Sequence, residues 1–208
     1  MKNIIFLLAT ITLSSCAETE TYSSIKAENF PLISQAPEFS EMEVSSSIKD
    51  TYDLTPEVVA SRLWDFANTC KGCRYDLPYM NEVNVFKNSD SELYVWQHIK
   101  KGIWVFSINS FSFLKANQYR SADGSQIIID TMTPKLALIE SLSLEHDLKH
   151  DASFDSIHIR MIINKTAEGS ELEIKVTAIP RGIAAKAPAR ILRSELKGTT
   201  EAIARSIK

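Results

Sequence analysis

Between Ser170 and Ala178 the chain alternates without a break. Leu172, Ile174, Val176 and Ala178 are apolar, and Glu171, Glu173, Lys175 and Thr177 between them are polar. Successive side chains of a strand point to opposite faces, so this period of two predicts a β-strand with one buried and one wet face. Ile157, Ile159, Met161 and Ile163 repeat the pattern just upstream, and Glu168-Gly169-Ser170 turns the chain between the two. The C-terminal segment differs in kind. Pro180-Arg181-Gly182 breaks the strand, and Pro188 to Lys208 then carries Leu192, Leu196, Thr199 or Thr200, Ile203 and Ile207 at helical spacing. Half-buried antiparallel strands need a cover for their apolar face, and this final helix is the only long one available.

Upstream the strands continue. Met42, Val44, Ser46 and Ile48 alternate with Glu41, Glu43, Ser45, Ser47 and Lys49, which predicts another half-buried strand. Thr55-Pro56-Glu57 opens a helix: Thr suits the cap, Pro the first turn, and Glu the positive end of the dipole. Val59, Leu63 and Phe66 share one face with Trp64 beside them, and the helix is expected to stop near Thr69. Residues 84–86 and 93–99 read as strands joined through Asn88-Ser89-Asp90-Ser91. Residues 103–115 hold the densest aromatics. Trp104, Phe106 and Ile108 share one phase and Phe111 and Phe113 the other, which predicts a bulge or turn near Asn109-Ser110. Asp123-Gly124 marks a hairpin between 113–119 and 126–132. Residues 134–150 fit a short helix, a loop or a strand. The sum is an α+β chain with a curved antiparallel sheet of about seven strands around a long C-terminal helix.

The first fifteen residues have a different character. Met1-Lys2-Asn3 is a short basic start, and Ile4 to Leu13 is a ten-residue apolar run interrupted by two Thr. That is too short to span a bilayer and right for a signal-peptide core. Leu13-Ser14-Ser15-Cys16 resembles the lipobox of bacterial lipoproteins, in which cleavage precedes the Cys and the Cys is acylated. A plain signal peptide with an incidental Cys is the other reading. Ala17 rather than Asp follows Cys16, which in the enteric sorting rule implies the outer membrane, with the domain facing the periplasm. Cleavage removes one base, Lys2, and no acid, taking the net charge from −3 to −4. Two or more acyl chains hold a protein firmly without a basic patch. Residues 16–40, rich in Glu, Ser and Thr and without sustained periodicity, read as a flexible tether, with Phe30, Leu32 and Ile33 as candidates for docking on the domain of residues 41–208.

A sheet with a single long helix leaves open how its interior is filled. Either side chains fill it, or an apolar cavity remains for a small molecule. Here a family resemblance adds to the residues. Leu77-Pro78-Tyr79-Met80-Asn81-Glu82-Val83 sits where the START/polyketide-cyclase superfamily places a Trp-containing run before its second strand. Trp104-Val105-Phe106-Ser107-Ile108-Asn109-Ser110-Phe111 resembles the segment leading into that family's Arg-Asp pair, although Asn109 and Ser110 occupy the pair's positions. Ile179-Pro180-Arg181-Gly182-Ile183, followed by Pro188, resembles the turn before the lid helix. The order of elements over 41–208 carries the resemblance more than any single motif. It implies a helix-grip fold and a cavity under the C-terminal helix that holds a lipid or other apolar ligand. Residues assigned to that cavity are Trp96, Trp104, Phe106, Phe111, Phe113, Leu192, Leu196 and Ile203. Arg160 shares a phase with His158 and Ile162. If it faces inward it needs a carboxylate such as Asp130, and it would then meet a ligand's polar head.

Other constellations are weaker. Cys70-Lys71-Gly72-Cys73 is a CxxC that reads first as a local disulfide formed outside the cytoplasm. Its place after a helix is wrong for a redox pair, zinc would need a second ligand pair, and Arg74 breaks the haem-attachment pattern. His146 and His150, four apart, would share a helix face, yet acids and Lys crowd the segment and a solvated loop is the plainer reading. No nucleophile triad or metalloprotease motif occurs, and no catalytic residue, cofactor or metal is assigned. A net charge of −3 argues against nucleic acid as a partner. Residues 181–208 nevertheless hold seven basic and two acidic residues, a helix face that is either solvated or turned to anionic lipid. The expected function is a membrane-tethered binding or transfer protein for an apolar ligand. A cyclase- or hydrolase-like enzyme, signalled by His98 or an Arg160 pair in the cavity, and an envelope scaffold with a filled core are the alternatives.

Overall fold

The computed structural model describes residues 30–39, 41–69, 71–73, 77, 79–87, 89–103 and 106–207, with backbone only for Lys87, Ile103 and Phe106. Residues 1–15, Cys16, Cys70 and Trp104 lie outside the described residues, as does the side chain of Phe106. Seven strands form one antiparallel sheet: β1 (Val44–Tyr52), β2 (Met80–Lys87), β3 (Glu92–Ile103), β4 (Phe106–Arg120), β5 (Gln126–Met132), β6 (Phe154–Lys165) and β7 (Ser170–Pro180). Their order across the sheet is β1-β7-β6-β5-β4-β3-β2. Helix α1 (Pro56–Trp64) follows β1, α2 (Leu136–His146) joins β5 to β6, and α3 (Ala189–Arg205) closes the chain. The sheet curves, and α1 and α3 lie across its concave face.

Local chemistry explains most boundaries. Pro56 stands in the first turn of α1 with Glu57 beside it; Thr55 takes the cap position, but its side chain makes no capping hydrogen bond. The helix stops at Trp64, and a short 3-10 turn, Phe66–Asn68, completes the stretch. Gly169 has φ +151°, and a Cβ there would lie 2.1 Å from the Tyr52 carbonyl oxygen. Only glycine lets the β6–β7 hairpin tuck against the end of β1. Gly124 takes φ +71° in the β4–β5 hairpin, whose ends close through Ser121 N–H to Gln126 O at 3.0 Å.

One expectation needs correction. No bulge interrupts 109–110: β4 pairs with β3 in unbroken register from Ile103 opposite Phe106 to Glu92 opposite Asn117. The apolar phase changes because both faces of this strand are covered. Ile108 and Leu114 point to the concave side, and Phe111 and Phe113 to the convex side beneath α2. Residues 30–39 lie against the domain, with Phe30 and Leu32, two of the docking candidates, at Arg120. Arg120 N–H donates to Pro31 O at 3.0 Å, Leu32 bridges Arg120, and the Arg120 guanidinium lies 4.8 Å from the Phe30 ring. Residues 30–39 thus form a strap that runs from the end of β4, where Phe30 meets Arg120, to the convex face, where Pro37 and Phe39 meet Arg160.

One end of the concave face is solid. Val59 and Leu63 of α1, Ile127, Ile129, Ile163, Leu172 and Ile174 of the sheet, and Ile207 after α3 are all buried in one cluster.

Candidate ligand cavity

Beyond that solid end the concave side is hollow. A cavity of about 170 Å³ lies between α3 and strands β3 to β7, closed at one side by Leu63 and Phe66. Its walls follow from strand phase. On β3 the residues facing it are Val95, Gln97, Ile99 and Lys101; on β6 they are Ile157, Ile159 and Met161. Helix α3 contributes Leu192, Leu196, Thr199 and Ile203 at the three- and four-residue spacings that keep one helical face inward. The predicted Leu192, Leu196 and Ile203 therefore do meet at one site.

Trp96, Phe111 and Phe113 do not. They lie on the convex face with Ile139 and Leu142 of α2, and the Trp96 indole N–H donates to Lys149 O at 2.8 Å. The 148–153 segment returns from α2 along this half of β4, pairing Asp151 with Phe111. His98, from the same phase of β3 as Trp96, stacks on Phe111 at 4.3 Å and shares a 2.7 Å hydrogen bond with Asn109 Oδ1. His146 stacks on Phe86 at 4.0 Å. His146 and His150 do not build a metal site: among the described residues no group of three or more potential ligands comes together.

Arg160 is also on the convex face. It donates to Asp130 through Nε at 2.9 Å and Nη2 at 3.2 Å, and His158 Nε2 bonds the same carboxylate at 2.7 Å. The predicted Asp130 partner is correct and the predicted direction is not. Asp130 is fully buried, and the strap seals the cluster: Phe39 lies 4.6 Å from the His158 ring and 5.5 Å from the Arg160 guanidinium, which also bonds Pro37 O. Burial alone would raise the Asp130 carboxyl, but the hydrogen bonds and positive charge of His158 and Arg160 outweigh it and hold the group below the usual carboxylate range.

Polar groups inside the cavity were missed by the sequence reading. Gln97 donates to Ser112 Oγ at 3.1 Å, both buried in the wall. Lys101 pairs with Glu195 of α3 at 2.8 Å and lies 5.0 Å from the Tyr79 ring, tying β3 to the helix. Arg62 donates to Ile207 O. Burial pushes the Tyr79 phenol up to about 12, although the Thr199 hydroxyl nearby acts the other way, so the phenol is neutral at physiological pH. A polar residue continuing an otherwise apolar stripe, as Gln97 does between Val95 and Ile99, was the available signal.

The comparisons agree with this architecture. The STAR-related lipid transfer protein (fragment 25–204) from Xanthomonas axonopodis is similar over 81% of this chain and 94% of its own, at 13% identity with a TM-score of 0.56. The di-domain ARO/CYC StfQ from the steffimycin biosynthetic pathway is similar over 79% of this chain at 11% identity with a TM-score of 0.52. This chain covers 49% of StfQ, about half its length. The domain has the START/polyketide-cyclase fold. No protein-family model matches the sequence, and no curated protein matches it.

In this helix-grip fold, α3 is the gripped element. Its outer face carries Arg190, Arg193 and Lys197, all exposed, while Glu201 sits 3.9 Å from both Lys197 and Arg205 and offsets part of their charge. Among the described residues no helix is long and apolar enough to cross a membrane.

Proposed function

We propose that this is an exported lipoprotein, acylated on Cys16 and anchored in the outer membrane facing the periplasm, whose helix-grip domain binds an apolar small molecule, lipid-like in character, under α3. The observation that supports the binding reading is the hollow itself, walled mostly by apolar side chains and roofed by an amphipathic helix. A cavity of about 150 Å³ takes up a benzene-sized guest. The guest accommodated here is accordingly one ring or one stretch of acyl chain, and anything larger requires α3 to move outward. The lipid transfer protein with the same fold is consistent with this reading. The enzyme reading called for His98 or Arg160 in the cavity, and both face away from it.

Native mass spectrometry of the protein purified from membranes tests the binding reading. An apolar adduct on the wild type that is absent from Leu196→Asp supports it; an interior that takes up no guest overturns it. Cys16→Ala tests the anchor. The variant is expected in the soluble fraction, and pelleting with membranes after a high-salt wash would contradict acylation. For Cys70 and Cys73, a thiol count under denaturing conditions without reductant is expected to find neither free.

A further inference from the structure

The hollow carries one charge that the fold leaves uncompensated. The charged side chains of its lining are Arg62, Lys101 and Glu195. Lys101 and Glu195 pair at 2.8 Å and cancel each other. Arg62 of α1 differs. Among the described residues it makes no ion pair, and its one polar contact is the donation from Nη1 to the neutral Ile207 carbonyl. That bond leaves the full positive charge in place. It also occupies only the Nη1 side of the guanidinium. The Nε–Nη2 edge has no partner among the described residues, and the side chain is half-buried rather than sealed, so this edge keeps accessible surface. Two N–H groups side by side on such an edge match both oxygens of a carboxylate. The wall beside them is apolar: Leu63 and Phe66, which follow Arg62 in the chain, line the same hollow and pack in one cluster with Ile203 of α3. Capping the last carbonyls of α3 accounts for one N–H of Arg62, but not for its charge or its open edge.

We propose that the guest is an anionic amphiphile, with its apolar body seated in the hollow and a carboxylate head paired with the Nε–Nη2 edge of Arg62. This inference rests on the cavity being a binding site and specifies the head group it selects. An alcohol of the same shape can accept a hydrogen bond from that edge but leaves the charge unanswered, and an amine meets repulsion. Lys101 competes weakly for the head, because Glu195 already holds it. Half-burial places the Arg62 pairing between the weak limit of open water and the strong limit of a dry interior.

The test uses phenylbutyrate, phenylbutanol and phenylbutylamine, which share one ring and one linker and differ in the head. Affinities are measured by ligand-detected NMR at neutral pH and low salt on wild type, Arg62→Gln and Arg62→Lys. Wild type is expected to bind phenylbutyrate more tightly than phenylbutanol by about threefold or more, and more tightly than phenylbutylamine by about tenfold or more. Arg62→Gln is expected to weaken phenylbutyrate by about tenfold, the low end for hydrogen bonds to a charged group, and to leave phenylbutanol within about twofold. Arg62→Lys restores the charge and is expected to recover most of the phenylbutyrate affinity. A role confined to capping α3 predicts instead that Arg62→Gln weakens phenylbutyrate and phenylbutanol by the same factor, and that result would overturn the proposal. So would a wild type that prefers the alcohol, or a folded Arg62→Lys that binds phenylbutyrate no better than Arg62→Gln. Each of these leaves the binding site standing, because phenylbutanol still reports it. Should Arg62→Gln not fold, the order of the three heads on wild type decides. Failure of all three probes to bind wild type would overturn the binding site and the proposal with it.

Discussion

The two faces of the sheet solve the same problem in opposite ways. The convex face is full. Aromatic rings stack under α2, and a fully buried Asp130 is satisfied by His158 and Arg160 beneath the strap. The concave face is aliphatic, yet it is filled only at one end. Covering a face with closely docked segments fills it, although the buried His150 Nδ1 beside Phe113 still lacks a hydrogen-bond partner. Covering it with one helix across a curved sheet leaves a gap, and the gap is where a guest fits. Burial by itself does not mark a site; unfilled space inside an apolar layer does.

The largest effect that would test this contrast belongs to the full face. Asp130→Ala strands Arg160 and His158 in a buried place, and breaking such a pair costs about 3–5 kcal/mol. Urea unfolding is expected to show that loss with the ligand affinity of the surviving folded protein unchanged. Leu196→Asp is the reciprocal change. It puts a charge against the hollow, is expected to cost about 2 kcal/mol, and is expected to abolish uptake of apolar probes.

The faces also differ in the pH range that challenges them. Asp130 titrates below its unfolded value, so its contribution is fully present above about pH 4 and is lost as pH falls through its folded value. Tyr79 and Tyr52 are raised, mainly by burial, and their contribution is present below about pH 10 and lost as pH rises beyond it. Melting curves across pH are expected to show an acid-side decline that Asp130→Asn reduces and an alkaline-side decline that Tyr79→Phe reduces. The smallest expected effect is that of the strap. Phe39→Ala removes one ring from His158 and Arg160 and is expected to cost about 1 kcal/mol, with uptake unaffected. Weaker uptake in that variant would mean that the two faces are coupled.

The sequence showed its fold where one face of a strand is wet. In β6 and β7 the alternation of Ile157, Ile159 and Met161 and of Leu172, Ile174 and Val176 marks the inward residues directly, because solvent demands polar side chains on at least part of the other face. In β3 and β4 both faces are covered. Val95 and Leu114 point one way and Trp96 and Phe113 the other, and a period of two cannot say which set faces the hollow. The rings drew the assignment to the wrong side, since large aromatics suit a ligand site as well as a packed layer. Arg160 was rightly matched to Asp130 because a buried charge requires a partner, but pairing chemistry carries no information about direction. The α3 residues were legible because a single amphipathic stripe has only one buried side. The Lys101–Glu195 pair was not, because it joins β3 to α3 across the fold, which local sequence does not contain.

The most direct test of the account locates a guest by contact. Intermolecular NOEs between bound toluene and the methyl groups of isotope-labelled protein distinguish the faces in one experiment. The account predicts cross-peaks to Leu192, Leu196, Ile203 and Met161 and none to Ile139 or Leu142. Cross-peaks confined to Ile139 and Leu142, with the α3 methyls silent, would contradict it.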